Sequence, residues 1–159
     1  EQFEDIKEDN SKEESEKQWE RSKIIFDHFF NYLKDKGLKE NTAGKRTQMC
    51  VYFIMNYLFV YDDATSVLEV TDKTIRTFLG NWYIRKFMNP NISEIKAFLK
   101  SISDFFTFLQ VRSFISKEDL IKIKDACKDT DWFEMRLTTY FKAHGYDLRE
   151  WIEEYNYDW

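Results

Sequence analysis

Glycine and proline are scarce in this sequence, with four glycines and one proline among 159 residues. A domain built from β-strands needs a turn signal roughly every 8–12 residues, and these two residue types supply many of those turns. Because the chain has so few of them, helices are favoured over a β-rich fold. We predict an all-α fold, arranged as one compact multi-helix domain.

Cysteine is equally sparse. Cys50 and Cys127 each stand alone inside apolar helical patterns, without a CxxC pair or an alternating Cys/His spacing. This pattern favours two small buried thiols in a reducing compartment over a zinc site or a disulfide framework. The N-terminal residues also lack the basic, apolar and cleavage segments of a secretory leader, so we expect a cytoplasmic protein.

No apolar run is long enough to cross a membrane. The longest extends from Met49 to Tyr61 and is interrupted by Asn56, whereas a spanning helix needs ~18–20 apolar residues. We predict a buried helix there and no membrane partner. Helices beyond residue 129 are expected to cover it, through Trp132, Phe133, Leu137, Trp151 or Ile152. The alternative is that a second chain covers it.

Residue patterns typical of active sites are missing as well. HExxH, a Glu-x-x-His pair, a glycine-rich phosphate loop and GxSxG do not occur, and His28 and His144 lie far apart in the sequence. Tyr155 and Tyr157 have no neighbouring arginine and histidine set that would activate a tyrosine nucleophile. We therefore predict no catalytic residue, no metal site, no cofactor and no enzyme activity within this chain.

Charge is abundant and unevenly distributed. The formal net charge is −5, but residues 1–20 and residues 129–159 are acidic, whereas residues 21–128 are mildly basic. A basic block is compatible with a solvated helix face and with nucleic-acid contact. Both interpretations stay open at this point.

Apolar periodicity divides the chain into three parts. Residues 1–15 carry too few apolar groups to become ordered by burial and are predicted to form an acidic, disordered lead-in. Residues 16–116 form a predicted four-helix module, and residues 117–159 form a C-terminal helical extension packed on it. The clearest helix is the fourth, whose predicted buried stripe consists of Ile95, Phe98, Leu99, Ile102, Phe105, Phe106 and Leu109.

Turn and cap residues indicate where helices begin and end. Gly37 is predicted to end the first helix, because glycine readily adopts the left-handed conformation found there. Asn41 or Thr42 is predicted to cap the second helix, and Pro90 to end the third.

One motif goes beyond composition. Between the first two predicted helices lies the segment Gly37-Leu38-Lys39-Glu40-Asn41-Thr42, which follows Phe29-Phe30-Asn31-Tyr32-Leu33. The fourth predicted helix ends with Phe105-Phe106-Thr107-Phe108-Leu109. This pattern resembles the N-terminal, SAM-like core-binding domain of tyrosine recombinases and phage integrases, over about residues 24–115. The catalytic domain of that family has no counterpart in this chain, so strand exchange is not expected of it.

The resemblance implies two crossed helical hairpins whose second and fourth helices face double-stranded DNA. Basic side chains and free amides at helix starts are groups that attract phosphates. Carried over, the DNA-binding residues are Lys39, Asn41, Thr42, Lys45 and Arg46 at the second helix, and Ser93, Lys96 and Lys100 at the fourth. The alternative is a helical protein–protein interaction domain that kept the fold but lost DNA binding, with a protein partner bound through the acidic C-terminal region.

Overall fold

The computed structural model describes the backbone of residues 2–154 and the side chains of residues 12–154. Helices follow one another through these residues without a β-strand, which confirms the all-α prediction. Tyr155 and Tyr157 lie outside the described residues. The helices are α1 (Gln2–Asp35), α2 (Glu40–Val51), π1 (Tyr52–Leu58), a short 3₁₀ turn (Val67–Glu69), α3 (Asp72–Thr77), π2 (Phe78–Trp82), α4 (Tyr83–Lys86), α5 (Ile92–Val111), α6 (Lys117–Lys128), α7 (Thr130–Lys142) and α8 (Tyr146–Glu154).

The chain divides into two compact units, one up to Thr47 and the other from Gln48 onward. The boundary lies within α2, whereas the sequence predicts a division after residue 116. The predicted crossing of two helical hairpins stays a prediction.

The first unit holds α1, the α1–α2 turn and the start of α2. Gly37 has a φ of 96° and ends α1 as predicted. The amide of Leu38 donates to the carbonyl of Leu33 at 3.2 Å and that of Gly37 to the carbonyl of Lys34 at 2.9 Å. This pair of bonds is the Schellman motif, which satisfies the last carbonyls of a helix and fixes the direction of the chain leaving it.

The start of α1 differs from the predicted disordered lead-in, because the backbone is helical from Gln2 onward. Glutamate, lysine and glutamine are good helix formers, and no glycine or proline interrupts this stretch. An ion pair between Lys17 and Glu13, 2.9 Å apart and one helical turn along, adds a small stabilisation. A polar segment can therefore still have a high helical propensity.

The core of the second unit is rich in stacked and tilted aromatic rings. The ring centres of Phe53 and Phe78 are 4.8 Å apart, and those of Tyr57 and Trp82 are 5.3 Å apart. Tyr52 contacts Phe98 of α5 at 6.0 Å. Phe87, which follows α4, also contacts Tyr52, with 5.5 Å between the ring centres. The ring contacts described between the Met49–Tyr61 run and other parts of the chain therefore involve π2, Phe87 and α5. The predicted cover of this run by the C-terminal helices stays a prediction.

The C-terminal helices pack on other helices of the same unit. Helix α6 packs on α5 and α3, α7 packs on α5 and π2, and α8 packs on α7. Arg76 of α3 contacts the start of α7. Its guanidinium group lies 3.0 Å from the Asp129 carboxylate and 4.8 Å from the ring centre of Trp132. Residues 117–154 therefore form part of the second unit's core.

Gly80 allows the closest approach between α7 and π2. A Cβ atom at this position would lie 2.5 Å from Cζ3 and 2.6 Å from Cη2 of Trp132, so that the ring would have to move. We expect Gly80→Ala to lower the free energy of unfolding by about 1–3 kcal/mol.

The matched control for that substitution is Gly44→Ala. Gly44 lies inside α2 with nothing within 4 Å of its would-be Cβ. Alanine there should raise the stability by about 0.5–1 kcal/mol, because glycine is the poorer helix former. Urea unfolding of both variants measures the pair, and a stabilised Gly80→Ala variant would contradict the close contact.

Candidate nucleic-acid interface

The residues predicted to contact DNA fall into two groups, one in each unit. The first group surrounds the start of α2. Lys39 precedes the helix, and its carbonyl accepts the amide of Ala43 at 2.9 Å. Because α2 begins at Glu40, Asn41 and Thr42 lie in its first turn instead of capping it, which corrects the predicted cap.

Four members of this first group are exposed and the fifth is half-buried. Lys39, Asn41, Thr42 and Lys45 have exposed side chains, whereas Arg46 is partly covered. Ala43, in the middle of the same stretch, is fully buried. The apolar side of α2 thus anchors the helix, and its polar side faces outward.

Two exposed lysines that we did not predict flank the same turn. The Nζ atom of Lys34 lies 5.5 Å from the centre of the Phe30 ring, and that of Lys36 lies 4.8 Å from the centre of the Tyr32 ring. Cation–π contacts of this kind hold a lysine stem along an apolar surface while its ammonium group stays in water. The exposed acids Asp35 and Glu40 partly offset this charge, so the turn is basic overall but mixed.

The second group lies along α5. Ser93, Lys96 and Lys100 follow an i, i+3, i+7 spacing, which places them on one side of the helix, and all three are exposed. Lys100 also lies 3.5 Å from the Asp104 carboxylate. A surface pair of this type contributes little to stability. The buried side of α5 includes all seven residues predicted for it, which confirms that stripe.

The start of α5 is held by a hydrogen-bonded cap. The side chain of Asn91 accepts the amide of Glu94 at 2.9 Å, a typical N-cap bond. The Tyr83 hydroxyl donates to a Glu94 carboxylate oxygen at 2.7 Å and accepts the Asn91 amide at 3.2 Å. Burial, followed by the bond to Glu94, raises the pKa of Tyr83 above its ordinary value. Nothing in the sequence pairs Tyr83 with this cap, because the contact joins separate helices.

The acidic C-terminal region has its own surface feature. Asp147, Glu150 and Glu154 share one side of α8 and are exposed. They line a groove of about 300 Å³ between α7 and α8, together with Thr139, Lys142, Ala143 and Trp151. Three carboxylates against the single cation Lys142 give the lining of this groove a net negative charge.

The cysteines and the histidines of this chain differ in their surroundings. Burial raises the pKa of the Cys50 thiol well above its ordinary value and that of Cys127 to about 12, so both thiols are protonated at neutral pH. Both cysteines are buried and free, as predicted. His28 and His144 are exposed. Among residues 12–154, no three His, Cys, Asp or Glu side chains come together as metal ligands.

The helices described between residues 2 and 154 include none with the length and apolarity required to cross a bilayer. Compared with known proteins, the chain matches no family model, no curated protein and no solved structure. The integrase resemblance therefore stays a prediction.

Proposed function

We propose that this chain is a non-catalytic helical module that binds double-stranded DNA through exposed cations at the start of α2 and along α5. The observation that carries the proposal is the outward-facing basic turn, in which Lys34, Lys36, Lys39 and Lys45 are all exposed. Lysines placed in this way can neutralise phosphates and release their counterions. The integrase-like motif from Gly37 to Thr42 lies in the same turn.

The α5 group supports the same function in a different way. Ser93 lies in the first turn of α5, where amide groups and a hydroxyl can contact phosphate oxygens, and Lys96 follows on the same side. The cap that joins Tyr83, Asn91 and Glu94 holds this turn in place. Contacts of this kind position a protein on duplex DNA without specifying its sequence.

A titration of labelled duplex DNA with the intact chain tests the proposal. We expect binding at ~50 mM salt that weakens steeply as salt is added, because released counterions oppose it. Removing residues 1–15 should leave the affinity unchanged or increase it, since the acidic groups there repel DNA or occupy basic side chains. If neither form of the chain binds at ~50 mM salt, the DNA proposal is wrong.

The groove between α7 and α8 favours a second candidate function, a protein-interaction module. Asp147, Glu150 and Glu154 would complement a lysine- or arginine-rich segment of a partner. In that case, the affinity for a basic peptide should depend on these carboxylates, and the basic turn of the first unit should have no effect. Substitutions of the α8 carboxylates should therefore weaken peptide binding, whereas substitutions of the lysines in the basic turn should weaken DNA binding.

A further inference from the structure

Arg136 of α7 is the most deeply buried charged side chain described, with 1% of its surface exposed. Its Nε donates to the carbonyl of Gly80 at 2.9 Å, and its Nη2 donates to the carbonyl of Trp151 at 3.0 Å. The guanidinium carbon also lies 3.7 Å from the centre of the Trp151 ring. One side chain thus joins π2, α7 and α8.

Asn81, the next residue of π2, makes a parallel connection. It is fully buried, and its Nδ2 donates to the carbonyl of Ile152 in α8 at 2.7 Å. Its Oδ1 accepts the Nε of Arg85 at 2.7 Å. Two consecutive residues of π2 are therefore hydrogen-bonded to the C-terminal helices.

The hydrogen bonds of Arg136 and Asn81 involve π2, the segment in which the backbone changes from α-helical to π-helical register. The amide of Tyr83 donates to the carbonyl of Phe78, five residues earlier, so π2 contains one residue more than an α-helical turn would. Such wide turns are uncommon, and a carbonyl inside them is suitably placed to accept a bond from outside the helix. Gly80 provides that carbonyl, and its missing Cβ leaves room for the Trp132 ring.

The register of π2 determines the direction of Tyr83, which follows it directly. Residues of an α-helix advance by about 100° each, so a return to α-helical register would turn the Tyr83 side chain by roughly that angle. Its hydroxyl would then leave Glu94 and Asn91. The hydrogen bond from Arg136 to the Gly80 carbonyl can thus influence the first turn of α5 through the position of Tyr83.

We propose that α7 and α8 act as a clamp that holds π2 in its π-helical register and, through Tyr83, fixes the start of α5. Arg136, Asn81 and Tyr83 are the positioning residues of this coupling. Loosening the clamp releases the first turn of α5 while the middle of that helix stays packed. The coupling is a property of the chain itself and does not depend on DNA binding.

Amide hydrogen exchange of the intact protein without DNA tests the proposal. In Arg136→Met, we expect the amides of residues 94–96 to lose about tenfold in protection relative to those of residues 102–109, a local opening. Arg136→Lys keeps the charge but loses the fixed fork of guanidinium donors, so it should give a smaller loss in the same residues. The lysine variant also tests the proposal if the methionine variant fails to fold.

Two further variants separate coupling from general destabilisation. Leu137→Val shrinks the neighbouring buried side chain of α7 without removing a described hydrogen bond, so it should lower protection in both parts of α5 equally. Tyr83→Phe should by itself lower the protection of the amides of residues 94–96, and adding Arg136→Lys to it should cause no further loss there. Equal loss along α5 in the Arg136 variants, an unchanged first turn, or additive effects in the double variant would each overturn the proposal.

Discussion

Ending the chain at Asp129, so that residues 130–159 are absent, is expected to abolish cooperative folding of the second unit. The truncation removes the buried side chains of Phe133, Leu137 and Trp151. Each is worth about 1.5–3 kcal/mol of apolar burial, compared with a total stability of about 5–15 kcal/mol for a domain of this kind. It also leaves the carbonyl of Gly80 without the Arg136 donor described above.

Circular dichroism melting and gel filtration measure this outcome. We expect the truncated chain to aggregate, or to keep some helix without a sharp melting transition, because apolar surface on α5 and π2 becomes exposed. Glu134→Gln, an exposed change in the middle of α7, is the matched control and should melt like the parent. A soluble truncated chain with a cooperative transition would show that α7 and α8 are dispensable.

Much of the helical pattern could be predicted from the sequence, because burial on one side of a helix leaves a strong period. The α5 stripe is the best example, and the end of α1 at Gly37 follows from backbone conformation alone. Ser116 is a residue type that commonly caps helices, and its side chain accepts the amide of Asp119 at 3.1 Å at the start of α6. These features depend on residues close together in the chain.

Features that depend on contacts between distant helices could not be predicted in the same way. Phe141 of α7 is apolar, yet 59% of its surface is exposed, whereas Arg136 of the same helix is buried. An arginine is rarely buried, and the carbonyls of Gly80 and Trp151 help to make this burial favourable by accepting hydrogen bonds from its guanidinium group. The π-helical turns are equally hidden, since an apolar run such as Met49–Tyr61 has no polar side from which a change of period could be detected.

For the candidate DNA site, the sequence predicted which side chains are exposed to solvent. All three α5 residues and four of the five α2 residues are exposed, as a binding role requires. Exposed lysines are also common on solvated helices, so exposure by itself does not establish a function. The stronger test is whether these cations act as a set that differs from other exposed cations.

Alanine at Lys39, Lys45, Arg46, Lys96 and Lys100 together is therefore expected to remove most duplex binding and most of its salt dependence. Each phosphate contact contributes about 0.9 to the slope of log affinity against log salt, so losing about five contacts should lower that slope by roughly 4–5. The three substitutions at α2 alone should lower it by about 3, and the two on α5 by about 2. Duplex titrations at several salt concentrations measure each slope.

The control for this experiment removes the same kind of charge from a different helix. Lys117, Lys122 and Lys128 are exposed on α6 and lie outside both predicted groups. Replacing these three with alanine changes the net charge as much as the α2 substitutions do. If the proposed surfaces contact the phosphates, the α6 variant should keep its slope, because counterions are released only where a cation meets a phosphate. Equal losses in the α2 and α6 variants would mean that net charge alone governs the affinity, and the assignment of Lys39, Lys45 and Arg46 to a DNA surface would then be wrong.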